Sequence, residues 1–96
     1  MASINADLDA ALVGCKERAA EFNDRPDWRP MSECGDHDVG PFLRRAADNL
    51  GHAQLSLSGA ARQSPGWWTA RRDLRDAVNM TLLALSIMER RTGGKA

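Results

Sequence analysis

One short run, Gln63-Ser64-Pro65-Gly66-Trp67-Trp68, interrupts two long helix-compatible stretches, 41–63 and 65–91. A proline inside a helix loses a backbone hydrogen bond and clashes with the preceding turn, yet it suits a first helical position. Ser64, immediately before it, is a natural N-cap, with Thr69 as the alternative if the Trp pair belongs to the loop. The run therefore ends one helix and starts another, which predicts an antiparallel hairpin carrying Trp67 and Trp68 at its tip. The two stretches hold more than half of the 96 residues, so the hairpin sets the architecture.

Along the first arm, Leu43, Ala46, Leu50, Ala53, Leu57 and Ala60 alternate in steps of three and four, the spacing of a helix–helix seam. Gly51 and Gly59 beside that row read as room for close approach. The second arm is amphipathic up to Asp76, with Ala70, Leu74 and Ala77 on its apolar side and Arg72 spaced to pair with Asp76. Beyond it, Val78, Met80, Leu82, Leu83, Leu85, Ile87 and Met88 point around most of the circumference. A helix apolar on all sides needs cover on all sides, so this segment is expected to pack in the bundle and to self-associate.

An earlier helix is predicted over 4–22 from the stripe Ile4, Leu8, Ala11, Leu12, Cys15, Ala19 and Phe22. Cys15 lies on that stripe and reads as a buried structural thiol. Residues 23–40 have two Pro, two Gly and no sustained period, so they read as an irregular loop, with Trp28 and Met31 as its anchors and a helical turn near Pro30. Residues 92–96 read as a flexible tail. The expected fold is all-α: one domain, a long antiparallel helical hairpin with the N-terminal helix packed across it as a three-helix bundle.

Composition narrows the function classes. Hydrophobic residues at 43% and charged residues at 27% are ordinary for a globular chain. No apolar run is long enough to span a bilayer, and the N-terminus lacks a basic, apolar leader, so a cytoplasmic setting is expected. Two cysteines make no disulfide framework. Net charge is zero, but residues before Pro41 hold nine acids to four bases and the rest hold nine bases to four acids. Overall neutrality disfavours a nucleic-acid-binding role, and arms of more than 20 residues are too long for a helix-turn-helix reader.

Cys34 and His37 stand at a Cys-x2-His spacing with Asp36 and Asp38 alongside, but Cys15 and His52 supply no matching second pair. No metal site and no cofactor are therefore expected, and a zinc-stabilised or small DNA-binding regulator is a subordinate alternative. No phosphate loop, nucleophile elbow or dinucleotide fingerprint occurs, so no enzyme activity is expected. What remains is binding. Trp67 and Trp68 lie close in sequence to Arg62, Arg71, Arg72 and Arg75, with Arg44 and Arg45 at the far end of the first arm. Trp and Arg dominate interface hot spots, and Arg engages carboxylate or phosphate through planar paired donors.

The closing segment, with Pro65 at the turn, then Ala70, Leu74, Ala77, Val78 and a helix running to Arg90, resembles the phage anti-CBASS sponge hairpins, which sequester cyclic-oligonucleotide immune signals. The resemblance covers 65–91. Pro65-Gly66-Trp67-Trp68 replaces the family's Pro-x-Ser-Arg-Glu-like turn, and the family's Trp within the final helix has no counterpart here. It implies a helical oligomer that holds a cyclic nucleotide at subunit interfaces without catalysis. The residues themselves favour a non-catalytic, homo-oligomeric inhibitor or adaptor with a protein partner and no membrane contact.

Overall fold

The computed structural model describes residues 4–22 and 33–93. These residues form three α-helices, α1 (Ile4–Ala20), α2 (Val39–Leu57) and α3 (Pro65–Gly93), with a 3-10 turn at Asp36–Asp38 leading into α2. No strand occurs among the described residues. The fold is all-α, α2 and α3 form an antiparallel hairpin, and α1 packs across α3. No helix of the described residues is long and apolar enough to cross a membrane. The loop anchors Trp28 and Met31 and the helical turn expected near Pro30 lie outside the described residues.

Helix α2 begins two residues before Pro41, which then falls within the first turn, where backbone N–H groups have no intrahelical acceptor to lose. Asp38 sits just ahead of it, buried, and its Oδ2 accepts the Gly35 backbone N–H at 2.9 Å. The helix was expected to reach residue 63 but stops at Leu57. Ser58 turns extended and Gly59 takes φ +71°, a left-handed conformation that glycine reaches without Cβ strain. Gln63 is also left-handed, at φ +62°, so the connection makes a second sharp corner before α3. There the expected cap is in place. The Ser64 Oγ accepts the Trp67 N–H at 3.3 Å, and Pro65 opens the helix.

The hairpin seam is thin. On α3 the buried positions are Ala70, Asp73, Ala77, Met80, Ala84 and Ile87, spaced by three and four. On α2 they are Phe42, Ala46 and Ala53, with Asn49 and Ser56 half-buried between and after them. Register is set at two points: His52 bonds Asp73, and a Cβ placed on Gly66 would lie 2.8 Å from the Ser56 carbonyl oxygen. Gly66 is therefore the glycine that close approach requires. Gly51 is exposed with open space around it, and Gly59 serves the turn, so neither thins the seam as the sequence suggested.

The expected α2 row was half right. Ala46 and Ala53 do face α3, but Leu43, Leu50 and Leu57 stand one residue off the seam, at 46, 50 and 38% exposure. The row that packs runs through Phe42 instead. At the open end of the hairpin Phe42, Ala46, Ala77, Met80, Ala84 and Ile87 close around Cys34, with Val39 and Leu83 packed against them.

Helix α1 meets α3 differently. Of its expected stripe only Cys15 is buried, next to Gly14, while Ile4 and Leu8 stand 73 and 54% exposed. Its contacts are largely polar. The Arg18 guanidinium donates to both carboxylate oxygens of Asp76, at 2.8 and 3.2 Å, and the Asn79 side-chain amide donates to the Cys15 carbonyl at 2.9 Å. The Arg75 guanidinium lies so close over Gly14 that a Cβ there would be 2.3 Å from its tip. Asp76 thus serves α1, whereas the sequence paired it with Arg72. The hydrogen bond to Asp76 pushes the already high Arg18 pKa further up, against the opposing effect of burial and with help from Glu21.

Candidate functional site: the hairpin tip

The turn and the first turn of α3 place the tip residues. Pro65 fixes the helix start, so Trp67 and Trp68 project about 100° apart from a regular helical backbone. Trp67 is half-buried and Trp68 is 45% exposed. Neither indole is fully enclosed.

Each indole carries an arginine. The Arg62 guanidinium stands 5.7 Å from the Trp67 ring centroid, and that of Arg71 stands 5.2 Å from the Trp68 ring centroid. At such exposed sites a cation–π contact is worth about 0.5–1 kcal/mol. That is enough to bias the side chains and too little to lock them. Among the described residues no ion pair engages Arg62, Arg71 or Arg72, and all three are exposed. The tip therefore presents apolar ring area beside cationic planar donors, a chemistry that fits an apolar group next to a carboxylate or phosphate.

The remaining site residues separate. Arg75 is half-buried against Gly14 and belongs to the α1 contact. Arg44 and Arg45 are exposed near the start of α2, at the opposite end of the hairpin from the Trp pair. The segment expected to self-associate also divides. Met80 and Ile87 are buried inside this chain's own core, at 7 and 1%, and Leu83 packs half-buried against the same cluster. Val78, Leu82, Leu85 and Met88 stay 40–54% exposed. The segment is less apolar-facing than its composition suggests, because α2 takes one side of it.

Two features escaped the sequence. His52, which stood alone there, bonds the buried Asp73 across the seam, a pairing over 21 residues that no local spacing announces. Leu43, Leu50, Leu57 and Leu74, read as core, line the outside of the hairpin. A shallow cleft of about 480 Å³ on α3 is lined by Leu82, Leu85, Ser86, Glu89 and Arg90.

The Cys34 and His37 pair does not converge. Cys34 is buried among apolar side chains and its carbonyl accepts from Arg90 at 3.1 Å, while the His37 ring is largely exposed, 3.3 Å from Asp38. Among the described residues no group of three or more His, Cys, Asp or Glu is placed to hold a metal ion. No family model, curated protein or solved structure matches this chain.

Proposed function

We propose that this chain is a non-catalytic helical binding protein, self-associating, that acts as an inhibitor or adaptor by gripping a protein partner at the hairpin tip. The observation that carries this reading is the exposure of Trp68 beneath Arg71, one residue from Trp67 beneath Arg62, on a capped helix start. An indole with almost half its surface in water gains free energy when covered, at roughly 25 cal/mol per Å² of apolar area. The exposed Arg62, Arg71 and Arg72 favour a partner with carboxylates around an apolar contact point.

The test is capture of partners from a cell extract by the native chain and by a Trp68→Ala variant. A protein retained by the native chain and lost with Trp68→Ala, while helical circular dichroism and thermal midpoint stay unchanged, supports the reading. Equal retention by both chains removes the tip from it. Native mass spectrometry of gently purified protein covers the other reading: bound mass of nucleotide size would move the proposal to a nucleotide sponge.

A further inference from the structure

Seven-residue spacing on both arms leaves one flank of the hairpin apolar and uncovered by the other described residues. On α2 the residues directly after the inward-facing Phe42, Asn49 and Ser56 are Leu43, Leu50 and Leu57. On α3 the residue directly after the inward-facing Asp73 is Leu74, and the adjoining outer row carries Val78 and Leu85. In an antiparallel pair, positions that follow the seam in this way fall on the same side of both helices. All six side chains are between 38 and 50% exposed. The other flank is where His52, Asp76 and Arg90 point, and there α1 and the Cys34 segment dock. The apolar flank is thus the one that α1 leaves open.

We infer that this flank is the surface on which a second copy of the chain packs, face to face, giving a four-helix core from two hairpins. The inference rests on the self-association part of the function proposed above and moves the contact from residues 78–88 to a strip shared by both arms. Three observations select a second copy over an unrelated protein. First, no charged residue interrupts the strip rows Leu43–Leu50–Leu57 and Trp67–Leu74–Thr81–Met88, and in the adjoining row Arg71–Val78–Leu85 the one charge stands at the tip end. Interfaces with exchangeable partners keep charges to steer and select, whereas permanent self-contacts resemble a bisected core. Second, a two-fold contact needs one patch that complements itself, and a neutral strip repeating every seven residues meets that need without like-charge clash. Third, six half-exposed aliphatic side chains offer on the order of 500 Å², and their rim brings the strip toward the ~800 Å² per partner of a standard stable interface. The strip reaches Trp67 at the tip, but Trp68 stands one residue off its rows and Leu50 stands about two turns back from the end of α2 at Leu57, so the two contacts are probed separately at Trp68 and Leu50.

Sedimentation velocity at rising protein concentration tests this, with the native chain, Leu50→Glu and Trp68→Ala. The native chain is expected at twice its 10.5 kDa mass, and Leu50→Glu at the monomer mass, with dimer dissociation raised about 30-fold or more. Trp68→Ala should sediment as the native chain does, whatever becomes of partner capture, so failure at the tip and failure at the strip give different results. If Leu50→Glu loses helical circular dichroism, a milder Leu43→Gln change replaces it and must weaken pairing with helicity kept. A monomeric native chain, or a native-like dimer in the helical strip variant, overturns the proposal.

Discussion

Helix α3 is gripped on two sides by opposite means. Against α2 it offers alanines, Met80 and Ile87, spaced regularly over most of its 29 residues and sealed from water. Against α1 it offers Arg75, Asp76 and Asn79, three polar side chains within little more than one helical turn, closing on Gly14, Cys15 and Arg18. The first contact gains stability from area removed from water, which is insensitive to salt and falls only when the whole seam opens. The second depends on a few directed bonds, partly exposed, whose net worth is small because water competes for the same groups. One chain thus holds a cooperative unit and an attachment.

The sealed seam is most vulnerable at Ile87. It is the largest fully enclosed side chain among the described residues, at 1% exposure. Ile87→Ala should cost about 2–5 kcal/mol by lost burial and cavity formation, read as a lower urea midpoint for the hairpin. His52 comes next. Removing its ring leaves the buried Asp73 carboxylate without that partner, but the His52 side chain is 60% exposed and water can reach the gap. The expected loss for His52→Ala is about 1 kcal/mol in the same denaturation experiment, and Asp73→Asn should recover part of it. Smallest in global terms is Arg18→Ala. Amide hydrogen exchange across α1 should quicken while the protection of α2 and α3 holds, with the global unfolding free energy from urea denaturation falling by less than about 1 kcal/mol. Raising salt on the native chain should loosen α1 in the same direction and leave the seam alone. If Arg18→Ala instead lowers protection throughout, α1 is part of the cooperative unit and the contrast fails.

The two contacts were unequally legible. Ser64, Pro65 and the alanine spacing announced the hairpin because capping and periodicity are local properties of a chain. The seam row itself was displaced by one residue: Asn49 and Ser56 interrupt the true row, while the leucines beside it complete a cleaner pattern. Apolar size suggested that the leucines face inward, but a seam with Gly66 against the Ser56 carbonyl admits only small groups near the turn. The end of α2 was missed because Gly59 was assigned to packing when its backbone conformation was the reason for it. That α1 packs across the hairpin was expected, but the polar bonds that hold it there were not visible. Arg18 and Asp76 lie 58 residues apart, and nothing local marks either for the other. The charge division does not point to it either, since this ion pair joins a minority base of the first part to a minority acid of the second. At the tip the residue types were readable, whereas the pairing of each indole with its own guanidinium is a product of the turn.

The Ser64 cap has a consequence for kinetics. Because Trp67 and Trp68 belong to the opening turn of a long helix rather than to a loop, their backbone is ordered when the chain folds. A molecule meeting these rings encounters a finished shape, and only side-chain rotation is left to freeze. The entropy that a mobile recognition loop would surrender on contact, about 0.5–1.5 kcal/mol for every rotamer-rich side chain immobilised, is kept to two indoles and the arginines above them. If the tip binds as proposed, selection there is made by fit on first collision, and dissociation needs no segment to refold.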